Sequence, residues 1–419
     1  MTGRRLAYDA PAALLRRRDV GRVLRALAVP GEETRPVGGC VRDALLGGSA
    51  DDLDLATTIA PAAVMALAAD AGLRAIPTGI DHGTVTLLAD GTAFEVTTLR
   101  EDVETDGRHA VVRFGRDFGR DAERRDFTIN ALSLDAKGRL HDTTGGIADL
   151  AAGRVRFIGD APTRIREDAL RILRFFRFHA RYGLGPPDGE GLTACIAARD
   201  AVDGLSRERI RAELLKLLVA PGALPALGVM ARHGILERLL ASPGDLDRLG
   251  RLLAALPQAD GLSRLAALAV REAGDVERLE NGLRLSRAEV RHLSAYAGAL
   301  AALGGTRARD RAAMRALLAD NDGRALSEAS SVLDGEEAEP MMTEEGRAAL
   351  AAVLDGTEAR PVFPVAGADL VGRGVPAGPA VGRGLKAARR RWLEAGCPTE
   401  AAAIDDLVAV AVEAAGRPD

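Results

Sequence analysis

Between residues 83 and 100 the chain runs through two β-branched stretches, TVTLL and TAFEVTTLR, set about Ala89-Asp90-Gly91. Period-two alternation on either side of an Asp-Gly pair predicts a β-hairpin. From Arg35 to about Leu140 short runs of this kind alternate with turns and with one helix, Pro61 to Gly72, opened by proline and closed by glycine. After Gly145 and Gly146 the apolar period changes, and from Pro162 onward Leu, Ala and Arg recur at helical spacing between short Gly, Pro or Asp turns. The spacing predicts a boundary near Gly153, one continuous helix over Thr163–Tyr182, another over Ser206–Leu218 and further helices to Pro340. Pro11–Leu27 reads as a charged amphipathic helix ahead of the strands. Residues 341–419 hold a turn-rich stretch, GADLVGRGVPAGPAVGRGL, that leads into KAARRRWLEAG.

A chain of 419 residues divides into several packed units, and an aromatic content of 3% with abundant Ala, Leu and Arg favours helix for most of them. The formal charge of −4 removes any bulk basic signature, so a nucleic-acid partner would be held by local arginine clusters. Cys40, Cys195 and Cys397 are far apart and lack C-x-x-C spacing, which points to reduced thiols rather than to a zinc site or a disulfide framework. With no signal-peptide core and no apolar run of membrane length, the expected location is the cytoplasm, without membrane contact.

The densest chemistry lies in GGCVRDALLGGSADDLDLATT, residues 38–58. On a strand, Asp52 and Asp54 point to one face while Leu53 packs behind them. Two such carboxylates can clamp hard divalent ions, which activate an attacking hydroxyl and stabilise a leaving pyrophosphate; a solvated strand end would read the same way. Glu95, on the outgoing hairpin strand, is either a third carboxylate of this set or an exposed strand residue. Gly38 and Gly39 let the backbone approach a phosphate, and Arg42 follows on a short helix, with Asp43 beside it as a local helix partner. His82 and His109 read as loop or structural histidines.

These residues resemble the polymerase-β nucleotidyltransferase superfamily, and within it the class II tRNA nucleotidyltransferase (CCA-adding) and bacterial poly(A) polymerase family. GGCVRD with DDLDLATT is similar to the family's first motif, RRDFTINAL (124–132) to its second and HDTTGGIADL (141–150) to its third. REDALRILRFFRFHARYG (166–183) is similar to the fourth, and SRERIRAELLKLL (206–218) to the fifth. The resemblance implies an α+β fold: a small mixed α/β nucleotidyltransferase head with a mostly antiparallel sheet, then an all-helical neck, body and tail. The corresponding divisions are 1–152, 153–220, 221–340 and 341–419. It further implies Mg²⁺ on Asp52 and Asp54, an incoming nucleotide against Gly38, Gly39 and Arg42, phosphate on Arg125 and ribose on Asp126.

Within Thr163–Tyr182, helical increments put Ala169, Ile172, Leu173, Phe176 and Ala180 on a buried face and Arg171, Arg174, Arg177 and Arg181 on the other. At i,i+3 spacing Asp168 and Arg171 present an acceptor beside a donor fork, which suits a base edge as well as an ordinary ion pair. The family resemblance implies base reading by Asp168 and Arg171, selecting CTP and then ATP, with Arg174 and Arg177 on the triphosphate. Asp142, Gly145, Gly146 and Asp149 read as a hinge or as a plain turn. Gly378-Pro379 and the run Lys386, Arg389, Arg390, Arg391 read as a grip on tRNA or as a solvated face with Trp392 in the core.

The function implied is addition of C, C and A to the tRNA 3′ end from CTP and ATP, with the tRNA 3′ end as partner and no obligate protein partner. Poly(A) polymerase, CC-only or A-only addition, an inactive RNA-binding scaffold and a D-x-D sugar transferase are the alternatives. The charged, glycine-punctuated segment Glu101–Glu123 resembles the flexible loop of complete CCA enzymes.

Overall fold

The computed structural model describes residues 3–49, 52–80, 83–105, 110–305, 308–336 and 340–416, with the side chains of 101–113 left aside. The chain forms two compact units, one of residues up to Leu205 with Ala220–Ala226, the other of Ser206–Val219 with residues from Leu227 on. His82 and His109 lie outside the described residues.

The first unit is built on a five-stranded sheet in the order β1-β2-β5-β4-β3, from β1 (Thr34–Pro36), β2 (Leu53–Thr57), β3 (Arg74–Gly79), β4 (Thr84–Ala89) and β5 (Thr92–Thr98). Only β2 and β5 pair in parallel, so the sheet is mostly antiparallel. The β4–β5 connection is the expected hairpin: Asp90 and Gly91 both have positive φ, 50° and 83°, as a two-residue turn matching strand twist requires. Alternation sends Leu53, Leu55, Val85, Leu87, Phe94 and Val96 to one face, all at most 2% exposed. On the opposite face lie Asp54 and Glu95, whose register makes them direct neighbours across β2 and β5.

The helices α1 (Ala10–Leu14) and α2 (Arg18–Ala26) replace the single N-terminal helix expected over Pro11–Leu27. The break follows Leu15, and Arg17, in extended conformation, restarts the chain as the N-cap of α2. Next come α3 (Gly39–Leu45) and α4 (Pro61–Asp70); in α4 Pro61 occupies the first turn, and Gly72, at φ 65°, closes the helix as Leu73 N–H reaches back to Ala68 O. The segment read as a flexible loop is largely structured in backbone. β6 (Arg100–Thr105) pairs with β7 (Ala110–Phe114) and α5 covers Phe118–Glu123, while residues 106–109 lie outside the described residues.

A short ladder of β8 (Ser133–Leu134) and β9 (Leu140–His141) leads to α6 (Gly146–Ala152). The long helix expected over Thr163–Tyr182 is two helices, α7 (Ala161–Glu167) and α8 (Leu170–Tyr182), followed by α9 (Gly189–Ala197). Asp168 causes the interruption: it is extended (φ −156°, ψ 106°) and its carboxylate accepts the Leu170 amide, the local bond by which aspartate competes with helix. α8 is buried more widely than one stripe. Phe175 and Phe178 join Ile172, Leu173, Phe176 and Ala180 in the core, whereas Ala169 is half-buried. Phe175, Phe178, Phe127 and Phe157 form one aromatic cluster with centroid separations of 4.9–6.3 Å.

The second unit is helical. In its C-terminal core Trp392 of the helix Pro379–Glu394, fully buried and T-shaped against Phe363 at 5.5 Å, shares one apolar cluster with Leu407, Val408 and Ala411 of the helix Ala401–Gly416. Lys386, Arg390 and Arg391 are exposed on the first of these, while Arg389 pairs with Asp320. No described helix is long and apolar enough to cross a membrane.

Candidate active site

Gly38 opens the site. Its φ of 71° suits glycine, and a Cβ there would lie 2.8 Å from Arg125 Nη1, so no other residue fits without moving that arginine. The turn starts α3, whose first residue is Gly39 and whose Arg42, only 6% exposed, is held from several sides. Its Nε and Nη2 donate to Asp43 (2.9 and 3.0 Å), its Nη1 to Asn130 Oδ1, and its guanidinium lies 4.1 Å from the centroid of the Tyr182 ring. A buried cation this heavily restrained is oriented before any anion arrives.

Asp54 stands half-buried on β2, but Asp52 is exposed at a bend just before the strand begins, so the expected strand position for both holds only for Asp54. Burial and the charges of Glu95 and Asp52 raise the Asp54 pKa, while Arg125 and Arg42 pull it down. Three carboxylates thus repel one another within reach of two guanidiniums. Among the described residues no three His, Cys, Asp or Glu groups converge closely enough to hold an ion unaided. The donor set nonetheless fits a hard divalent cation, which prefers oxygen and would relieve the repulsion on Asp54, with water or phosphate oxygens completing its shell. Cys40 lies beneath, its thiol pushed up to about 12 by burial and by the Asp54 charge.

The RRDFTINAL segment ends α5 and enters a 3₁₀ turn, Thr128–Asn130. Arg124 and Arg125 both donate to buried Asp121, and Arg125 Nη1 also donates to Asn130 O at 3.2 Å. Asp126 is occupied on both oxygens. Oδ1 accepts Phe127 N–H (2.9 Å) and Asn130 Nδ2 (3.0 Å), and Oδ2 accepts Arg174 Nε at 2.7 Å with Arg174 Nη2 at 2.6 Å. Two groups expected on ribose and phosphate are therefore joined to each other. Arg177 lies 4.2 Å above the Phe178 ring.

The break at Asp168 also alters the base-reading pair. Arg171 does not rest against Asp168 as an i,i+3 neighbour; its Nη1 donates to Glu167 and to Arg164 O (2.8 Å), an anchor one turn back. That leaves its Nε and Nη2 edge for other acceptors, three residues after Asp168 in the chain. The turn at Gly145-Gly146 is tightly fixed: Asp142 accepts the amides of Thr144, Gly145, Gly146 and Ile147, and Asp149, 1% exposed, accepts Thr128 Oγ1, Arg154 and Arg156. Sequence reasoning passed over Asn130, Asp121 and Tyr182. Asn130 sits among apolar residues of RRDFTINAL, and its polarity there was the available signal.

A glycine turn feeding a buried arginine, a carboxylate pair at the open face of a small mixed sheet, and an arginine-bearing helix tied to them through Asp126 and Asp43 together define a nucleotidyltransferase head. Comparison with known proteins agrees. Residues 34–156 match the family described as Poly A polymerase head domain, and residues 189–244 that described as Probable RNA and SrmB-binding site of polymerase A. The mitochondrial CCA tRNA nucleotidyltransferase 1 of Danio rerio is 42% identical over 263 residues, 61% of each chain. The CCA-adding enzyme of Geobacillus thermodenitrificans is 39% identical over 227 residues, 53% of this chain and 55% of that one. The aligned region thus spans about three fifths of these curated relatives. The crystal structure of the Bacillus stearothermophilus CCA-adding enzyme in complex with CTP superposes with a TM-score of 0.71 at 29% identity, covering 93% of this chain and 96% of that one. Over these matched stretches the chain is similar to the class II CCA-adding enzyme and poly(A) polymerase family.

Proposed function

We propose that the protein adds C, C and A to the 3′ end of tRNA from CTP and ATP, without a nucleic-acid template. The observation that carries this is the gathering of Asp52, Glu95, Arg42 and Arg125 about Asp54 of β2, tied through Asp126 and Arg174 to the helix headed by Asp168 and Arg171. The names of the similar proteins, and the CTP in the Bacillus stearothermophilus complex, support the same substrate class.

In the reaction the terminal 3′ hydroxyl oxygen forms a bond to the α-phosphorus, the bond from that phosphorus to the β-phosphate oxygen breaks, and pyrophosphate leaves as the hydroxyl proton is lost. Arg42 and Arg125 neutralise phosphate charge, with the amides after Gly38 available to the same group. Asp168 and the free edge of Arg171 read the Watson–Crick edge of the base, while Arg174 and Arg177 lie farther along α8 toward the triphosphate. Asp126 takes up the ribose hydroxyl by giving up one of its present donors. Asp52 and Asp54, with Glu95 alongside, would hold divalent cations, Mg²⁺ in the cell, which when bound promote hydroxyl ionisation and screen the leaving pyrophosphate.

In this reading 1–152 is the catalytic head, 153–220 the neck, 221–340 the body and 341–419 a tail whose Lys386, Arg390 and Arg391 meet tRNA. Cytoplasmic residence completes the proposal, supported by three free, buried cysteines. Base selection is tested by supplying each of the four NTPs to wild type and to Asp168→Ala and Arg171→Ala. Loss of preference for CTP and ATP, with incorporation retained, supports the assignment; unchanged preference refutes it.

A further inference from the structure

The polar contacts around the site close on themselves. From Arg174 on α8 the path runs to Asp126, to the Asn130 amide, to Arg42, to Asp43, and returns to α8 where Tyr182 Oη donates to Asp43 Oδ1 at 3.0 Å. Both ends therefore stand on one helix, eight residues apart. Inside the loop is Phe178, 6% exposed, with the guanidiniums of Arg42 and Arg174 at 5.4 and 5.3 Å from its centroid and the Tyr182 ring stacked at 5.8 Å.

Asn130 is the joint of this circuit. Its Oδ1 accepts Arg42, its Nδ2 donates to Asp126, and its backbone carbonyl accepts Arg125. An amide is suited to the place because it offers an acceptor and a donor at once; a carboxylate would face Asp126 with like charge and an aliphatic residue would leave both neighbours unpaired.

We infer that Asn130 and Tyr182 are positioning residues that lock the phosphate-binding arginine of α3 to the base-reading helix α8, so that choice of base and grip on the triphosphate are set by one rigid unit. The inference rests on the function proposed above and adds to it a coupling between its two parts. A packed polar circuit with every member satisfied has few alternative arrangements, and a change at one point is felt round the loop.

The test is Asn130→Ala, Tyr182→Phe and the double variant, with Tyr182→Phe keeping the ring that supports Arg42. Removing a hydrogen bond to a charged partner corresponds to roughly 10- to 100-fold at Asn130, expected in KM for CTP and ATP with kcat changed far less. Tyr182→Phe should raise KM by about tenfold, and the double variant should fall short of the product of the two effects. Discrimination of CTP against UTP should narrow in both. Multiplicative effects, or lowered thermal stability with KM and discrimination unchanged, would overturn the inference and leave a structural role. If wild type transfers neither CMP nor AMP, the proposed function fails on its own. Equilibrium CTP affinity by titration calorimetry on the same variants then decides the circuit, unchanged affinity sinking it and non-additive loss sustaining it.

Discussion

Gly146→Ala isolates the contact between α6 and the RRDFTINAL segment. Gly146 has ordinary backbone angles, so alanine meets no conformational penalty there, and the whole effect is space. A Cβ at this position would lie 2.2 Å from Thr128 O, 2.8 Å from Thr128 C and 3.1 Å from Leu132 Cδ2. Clearing the carbonyl requires the two backbones to part by about 0.8 Å, a large shift in a close-packed interior. Neither side yields easily. Thr128 is held by Arg156 O through its amide and by Asp149 through its hydroxyl, and the Gly146 amide is held by Asp142. Overpacking of this kind costs roughly 1–3 kcal/mol, here at the upper end because the obstacle is backbone, offset by about 0.5–1 kcal/mol from replacing a helical glycine. The net expectation is about 2 kcal/mol of lost stability. Gly21→Ala on α2 is the matched control in the same unit, since its Cβ would meet the far end of Arg25 at 3.1 Å and Leu15 O at an ordinary 3.7 Å; it should stabilise by about 0.5–1 kcal/mol. Scanning calorimetry and amide exchange at residues 128–150 would measure both. Because Thr128 neighbours Arg125, Asp126 and Asn130, Gly146→Ala should also raise KM for nucleotide. Equal stability of the two variants would refute the packing argument.

Asp54→Asn should abolish nucleotide incorporation and, without metal, raise thermal stability, because it removes a charge that burial, Glu95 and Asp52 all disfavour. With the folded pKa raised, the wild-type carboxyl stabilises the fold below its unfolded value and loses that contribution as pH rises through the folded one; Mg²⁺ should restore it in wild type and do nothing for the variant. A wild type whose melting is blind to Mg²⁺ would count against the ion site. Asp19, bonded to Arg17 at 2.7 Å and to Thr92, has its pKa held down to about 2, so its contribution is complete above about 4 and vanishes as pH falls through 2. Asp19→Asn should therefore lower stability by roughly 1–2 kcal/mol at pH 7 and by almost nothing near pH 2, as urea melts at the two values would show. Gly38→Ala, with φ 71° and a Cβ 2.8 Å from Arg125, should raise KM for both nucleotides, whereas an unchanged KM would detach Arg125 from the site. Native-state titration with a thiol reagent should find Cys40 and Cys195 unreactive, since burial raises both thiols.

The hairpin and α4 were legible because they rest on local rules: alternation, an Asp-Gly turn, proline at the start and glycine past the end of a helix; the mostly antiparallel sheet came from the family resemblance. The two helix breaks were not. Periodicity continues straight through Asp168 and Arg17, and only local bonding, the Asp168 carboxylate on the Leu170 amide and the restart at Arg17, interrupts it. The candidate residues were recoverable from motif order, but their partners were not. Nothing in the spacing of RRDFTINAL shows that Asp126 pairs with an arginine 48 positions on, or that Tyr182, read only as a helix end, sets its ring under Arg42 and donates its hydroxyl to Asp43, 139 positions earlier. Such pairings belong to tertiary packing, where a buried carboxylate must find donors wherever the fold brings them.

The central claim is most directly tested by product length. Purified protein with Mg²⁺ is given three tRNA transcripts, ending at the discriminator base, at CC and at CCA, with CTP and ATP singly and together, and products are resolved at one-nucleotide resolution beside Asp52→Ala and Asp54→Ala. Growth of the first two to CCA followed by arrest, no growth of the third, and no addition by the variants is the predicted result. A long A tail on all three, addition limited to CC or to the final A, or no incorporation by wild type would contradict it.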